Sequence, residues 1–330
     1  MAQPLLSICI PTYNRIKHIR RLVSFLESEL KDVDTRLIEV IISNNHSDDG
    51  TFEYLDSLKE KYDWLFISHN KHNIGGFKNM QKLIYMAKGI YLWIPGDDDY
   101  LKKGTIGKLL RIIQEESPTY IYMSRRNINE ETKEITIQGK KYCIEYNKKI
   151  KVTHNQLVTL LVDNYTDLKF QTSSVFLTEN CKRYDNEANY MDKNAKEACH
   201  SLYKTVRSMQ EGAAYFISEV LILSGDQTTW SDRCIDYGAV ADYKFSNYLL
   251  SFGFTKSESR EIGNFQLARD LVTCFHSKEL MDKWKEYEKP GNGTQLYVAF
   301  IVLCLKKIRR KFFKLQCIID EPIDKSCFGL

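Results

Sequence analysis

Asp97, Asp98 and Asp99 are the residues of this chain best placed to do chemistry: three consecutive carboxylates directly after the apolar run Ile90 to Ile94 and the pair Pro95-Gly96. Like charges this close repel one another, so the triplet suits a divalent cation held together with a polyphosphate. A solvated acidic turn is the plainer reading, and the place of the acids at the end of an apolar strand weighs against it. Three earlier polar turns have side chains suited to the same ligand. Pro11-Thr12-Tyr13-Asn14-Arg15 can set backbone and a ring against a base and ribose. Asn44 and Asn45 carry amides, which both donate and accept. Gly75-Gly76, followed by Lys78 and Asn79, permits close backbone approach at the start of a helix, where a diphosphate is favoured.

The elements around these turns alternate. Apolar runs over 5–10, 37–43, 64–68 and 90–94 read as strands; amphipathic periodicity over 16–30 and 77–88 predicts helices between them, and the polar, short-sided cluster over 44–50 is suited to capping another over 51–61. That order specifies a Rossmann-like, mostly parallel sheet flanked by helices, and ligands of such sheets bind beyond the carboxyl ends of the strands. All four turns lie there. Further on, 103–116 reads as a helix and 119–124 as a strand, then a charged excursion runs over 125–151. A helix over 154–162, a strand edge or cleft-lining turn over 170–177, a helix over 195–209 and a strand over 214–223 complete an α/β domain spanning 1–225. Within it, 1–101 carries the four turns and 102–225 the remaining elements, and 226–330 is expected to be mainly helical.

Bulk composition narrows the class. With 43% hydrophobic and 27% charged residues the chain is an ordinary globular protein, and a net charge of +4 gives no ground for a nucleic-acid partner. Nine scattered cysteines without a CxxC pair suit a reducing compartment. The first residues lack the charged and apolar regions of a signal peptide, and no apolar run is long enough to span a bilayer. A cytoplasmic location follows as the expectation, on the inner face of the membrane if the tail binds there.

The segments SICIPTYNR, IISNNHSDDGT, NIGGFKNM and WIPGDDD, in this order, together resemble the family 2 glycosyltransferases of the GT-A fold, especially bacterial enzymes of O-antigen and capsule synthesis of the abequosyltransferase type. The likeness is strong over about the first hundred residues and weak to about Leu223. It implies a nucleotide-diphosphate sugar donor, with UDP the first expectation, contacted by Pro11, Thr12, Tyr13, Arg15, Asn44, Asn45, Gly75, Gly76, Lys78, Asn79, Asp97 and Asp98. Asn45 matches the position that meets the pyrimidine edge, although the Asn44-Asn45 pair replaces acids common in the family. Asp97 and Asp99 form the DxD pair for Mn2+ or Mg2+, with Asp99 the expected direct ligand. Gln171, Thr172, Ser173 and Ser174 match an acceptor-facing turn, and Trp230 and Asp226 are further acceptor-side candidates.

Inverting transfer needs a base for the acceptor hydroxyl. The acidic pair usual in the family is missing; by resemblance His200 takes its place, with Glu197 and Asp192 as alternates, and a helix-capping histidine is the structural alternative. The tail over 296–315 begins apolar and ends basic, with Phe312 and Phe313 among its cations, so it either packs on the domain or lies on an anionic membrane surface. The implied acceptor is a glycan or a lipid-linked saccharide. Two rivals stand beside this reading. A phosphatase or phosphotransferase is disfavoured, because no aspartate follows the first strand. A catalytically degenerate nucleotide-sugar-binding or scaffolding module is kept open by the missing acidic pair.

Overall fold

The computed structural model describes residues 3–135, 145–225, 241–274, 301 and 323–330. The first half alternates as β1 (Leu6–Thr12), α1 (Ile16–Glu29), β2 (Ile38–Asn44), α2 (Thr51–Asp56), β3 (Leu65–His69), α3 (Gly76–Met86) and β4 (Tyr91–Trp93). β1 pairs in parallel with β2 and with β4, and β2 pairs in parallel with β3. Side chains alternate across the sheet, so Leu6, Ile8 and Ile10 join one core layer and Cys9 the other. Both faces of β1 are therefore covered, as its unbroken apolar run requires. On the first face α1 buries Ile19, Leu22, Val23 and Leu26, each stabilising by roughly 1.5–3 kcal/mol relative to exposure. On the other face α3 buries Leu83 and Ile84.

The second half adds β5 (Tyr100–Leu101), α4 (Thr105–Glu116), β6 (Tyr120–Ile128), β7 (Lys149–Lys151), α5 (His154–Asp163), α6 (Tyr165–Lys169), β8 (Ser174–Leu177), α7 (Thr178–Glu187), α8 (Lys193–Glu211) and β9 (Ala213–Gly225). The sheet order is β3-β2-β1-β4-β8-β6-β9-β5, with β7 on β9. The sheet is mixed. β8 lies between β4 and β6, antiparallel to both, so residues 174–177 are an interior strand and not an edge. Its direction follows from its start: the turn Gln171–Ser173 sits beside the acids at the end of β4, and a strand leaving that point runs back along β4. The charged excursion after β6 begins as a hairpin, closed by an antiparallel bridge between Ile128 and Ile135.

Beyond β9, α9 (Ala241–Tyr248) and α10 (Lys256–Cys274) pack on α8 and α5, and Phe245, Leu249, Phe252 and Ile262 join the core layer that contains Cys9. Trp230, Asp226 and, apart from Ile301, the tail over 296–315 lie outside the described residues. Among the described residues no helix is long and apolar enough to cross a membrane.

Candidate active site

The four turns are tied to one another in sequence around the carboxyl edge of the sheet. From the first turn, Asn14 N donates to Ser47 Oγ at 2.8 Å and Thr12 O accepts from Asn45 N at 2.9 Å, which fixes it to the second. The second holds the third through Asn45: its Oδ1 accepts from Asn70 Nδ2 at 2.9 Å and Ile74 N at 3.0 Å, while its Nδ2 donates to Asn73 Oδ1 at 2.7 Å. Asn44 Oδ1 accepts from Ser47 N and Oγ, and its Nδ2 meets His69 Nδ1 at 3.0 Å. The fourth turn closes back on the first. Thr12 Oγ1 donates to Asp97 Oδ2 at 2.7 Å, and Arg15 Nη1 lies 2.8 Å from Asp97 Oδ1 and 2.6 Å from Asp98 Oδ2.

Asp99 is held from the other side. Thr172 Oγ1 donates to Asp99 Oδ2 at 2.5 Å and accepts from Gly96 N at 2.9 Å, while Trp93 Nε1 donates to Thr172 O at 2.8 Å. Glycine at position 96 leaves room for the acids, since a Cβ there would fall 2.7 Å from Asp99 Oδ2 and 2.8 Å from Asp98 Oδ1 and force those carboxylates to shift. Arg21 supports the turn from α1, its Nη2 donating to Asp98 O at 2.6 Å and its guanidinium lying 3.6 Å from the centre of the Tyr100 ring.

Asp97 and Asp99 are each only 4% exposed. Burial, then the charge of Asp98, pushes Asp99 up to about 7, while burial raises Asp97 despite Arg15. Burial works against the Arg15 charge, but Asp97 and Asp98 outweigh it and raise Arg15. These are carboxylates short of positive charge, and they suit a hard divalent cation. Among the described residues no set of three or more His, Cys, Asp and Glu side chains forms a cation cage. The donor set at the turn is these aspartates alone.

The sequence-expected residues separate into groups. Thr12, Arg15, Asp97, Asp98, Asp99 and Thr172 meet in one cluster, with Tyr13, Gly75, Gly76 and Lys78 exposed at the rims of their turns and Pro11 half-buried. Gly75 has φ of 85° and caps α3, with Gly75 and Gly76 both exposed. Asn79, expected to face a donor, is buried, accepts from Ser43 Oγ and Asn70 Nδ2, and donates to Ser43 O. Asn45 is buried too, with its amide committed to the loop over 70–74. Ser174, expected at the acceptor, is likewise turned into the core, where its hydroxyl meets Tyr120 Oη at 3.0 Å. Thr172 braces the acids, whereas the Gln171 amide and Ser173 Oγ are buried without partners.

His200 lies in the middle of α8 against Phe77, with ring centroids 5.2 Å apart, which sets it beside the third turn. Its Nδ1 is 2.9 Å from Glu197 O; a carbonyl only accepts, so Nδ1 carries the proton and Nε2 the lone pair. That Nε2 is buried without a partner, although part of the residue is open to solvent. Burial, then the charge of Lys204, lowers the ring to about 3. Lys204 itself forms a buried pair with Asp185 at 3.2 Å. Asp192, the alternate base, is instead the N-cap of α8, accepting from Asn194 N and Ala195 N.

Sequence reasoning missed Arg21, and it missed Arg125. Arg125 projects from β6 onto the Phe170 ring at 4.2 Å, pairs with Asp167 at 3.3 Å, and has a buried Nε without a partner. The signal available was an arginine pair late in a strand, at the sheet edge where ligands bind.

The profile of the family described as glycosyl transferase family 2 matches residues 7–169. The abequosyltransferase RfbV of Salmonella typhimurium is 34% identical over 119 residues, 36% of this chain and 35% of that protein, so the match spans about a third of the relative's length. Staphylococcus aureus TarS 1–349 in complex with UDP-GlcNAc superposes with a TM-score of 0.58 at 17% identity, over 89% of this chain and 79% of that one. The mannosyltransferase PcManGT of Pyrobaculum calidifontis, in complex with GDP-Man and Mn2+, gives a TM-score of 0.55 at 14% identity, over 96% and 85%. The mixed sheet flanked by helices is thus the GT-A architecture of these glycosyltransferases, and residues 7–169, which hold all four turns and the acids, belong to glycosyl transferase family 2.

Proposed function

We propose that this chain is an inverting glycosyltransferase that moves a sugar from a nucleotide-diphosphate donor, a UDP-sugar in the first instance, to a glycan or lipid-linked saccharide during synthesis of a bacterial surface polysaccharide. The observation that carries the reading is the series of hydrogen bonds that links the third turn to the second, the second to the first and the first to Asp97, with Thr172 holding Asp99 from the other side. The likeness to an abequosyltransferase and to a UDP-GlcNAc complex supports the donor class.

Asp99, with Asp97 beside it, would hold Mn2+ or Mg2+; when bound, that ion offsets the diphosphate charge and stabilises the departing nucleotide. Tyr13, exposed at the mouth of the first turn, offers its ring to the base, and the N-terminus of α3 at Gly75-Gly76 faces the phosphates with Lys78 alongside. Gln171 and Ser173 have unpartnered polar atoms for sugar hydroxyls. His200 is the base in this scheme. Its tautomer presents the right lone pair, and an anionic diphosphate nearby would raise its pKa from the low value set by burial. Glu197 is the alternate.

The test is a panel of nucleotide-sugars screened by thermal shift with Mn2+, followed by radiolabelled transfer with the best donor. Transfer by the wild type that is lost in Asp99→Asn, with donor binding by His200→Ala but no turnover, is the expected pattern; near-normal turnover by His200→Ala removes it from the role. A second reading, a nucleotide-sugar-binding or scaffolding module, draws on the weak basicity of His200 in the free chain. Binding without transfer or hydrolysis across the whole panel is what that reading requires.

A further inference from the structure

Residues 323–330 return to the strand that follows the acids. Phe328 is buried in a separate small core with Tyr100, Ile128, Val220 and Leu223. Cys327 O accepts from Lys103 N at 2.8 Å, and Lys325 Nζ donates to Lys133 O at 2.6 Å. Lys133 Nζ in turn donates to Tyr100 Oη at 2.9 Å, and Tyr100 Oη donates to Glu130 Oε2 at 2.9 Å. The segment therefore grips Tyr100 and the residues just after it from two sides.

Tyr100 is the residue after Asp99, and its ring carries the Arg21 guanidinium that donates to Asp98 O. The strand it belongs to, β5, has only two residues and, among the described residues, pairs with β9 alone. Thr12, Arg15 and Thr172 hold the acids themselves, but two ladder residues fix the following strand only weakly, so contacts from outside the sheet add to the support of the turn at Tyr100. We infer that residues 323–330 are a clamp, with Phe328 a positioning residue that holds Asp97, Asp98 and Asp99 in register for the cation and diphosphate through Tyr100 and Arg21. The clamp rests on the reading of the acids given above. It assigns to a segment more than 200 residues away in sequence a share of donor affinity.

The full chain carrying Phe328→Ala, Phe328→Leu or Lys325→Ala tests this in two independent ways. Hydrogen exchange in the absence of ligand is expected to rise in peptides covering 96–104 for Phe328→Ala and, more weakly, Lys325→Ala, with β1 and α1 unchanged and Phe328→Leu close to wild type. Titration with Mn2+ and UDP is expected to weaken about tenfold in Phe328→Ala, with recovery in Phe328→Leu. Unchanged exchange over 96–104 in both Phe328→Ala and Lys325→Ala overturns the clamp. A general rise in exchange across the sheet in Phe328→Ala, with none in Lys325→Ala, also overturns it, because Phe328 is then only a core residue. Should the wild type bind neither UDP nor other nucleoside diphosphates with Mn2+, the donor-site reading fails instead, and the exchange result still decides the clamp.

Discussion

At Asp99 a raised pKa makes a definite prediction for stability. A carboxyl that holds its proton more tightly when folded favours the native state at low pH, and that contribution is lost as pH rises from about 4, the unfolded value, through about 7, the folded one. The chain without divalent ions should therefore melt lower at pH 8 than at pH 5.5, and Mn2+ should recover the difference. Asp99→Asn should remove most of that pH dependence, raise the melting point at pH 8, and abolish transfer. Arg15 acts in the opposite sense. It is the cation that offsets Asp97 and Asp98, so Arg15→Gln should destabilise the metal-free protein by about 2 kcal/mol, read by urea denaturation. Equal stability of Arg15→Gln and wild type would show the pair to be without net effect.

At the scale of elements, the turns depend on amides and on one glycine conformation. Asn45→Ala removes the acceptor of Asn70 and Ile74, so the loop over 70–74 should loosen. The expected result is a rise in the KM for donor of about tenfold with a smaller change in kcat, because the loop binds but does not react. Gly75→Ala forces a side chain into φ of 85° and should cost about 1 kcal/mol with a similar KM effect. These elements were legible because short unbroken apolar runs mark β1 to β4, a 3.6-residue period marks α1 and α3, and a capping cluster precedes α2. The stretch 170–177, read as a strand edge or a cleft-lining turn, holds a turn at 171–173 and then the interior strand β8, whose four residues give no sign of which strands they join. β5 escaped notice for the same reason: two residues have no period.

For the whole molecule, the basic stretch within 296–315 sets up a test that must leave the clamp intact. Deleting the last forty residues would remove both, so the cations Lys306, Lys307, Arg309, Arg310, Lys311 and Lys314 should be changed to glutamine in the full chain. If the tail docks on membrane, wild type should float with anionic vesicles and the variant should not, and both should ignore neutral ones. No flotation of the wild type removes the membrane partner.

The sequence by itself determined the alternating frame, the edge of the sheet where ligands bind and the identity of the acids, because local periodicity and strand-end turns are properties of short segments. Only the tertiary structure decided how those residues divide their work. It turned Asn79 and Ser174 inward, made Thr172 a brace, left Nε2 of His200 buried and weakly basic, and brought Arg21, Arg125 and Phe328 into play. Such assignments depend on which distant groups share a buried space and compete for the same hydrogen bonds. Asp97 to Asp99 stand out as a charge cluster in the sequence; the packing of Phe328 with Tyr100 exists only after the chain has closed on itself.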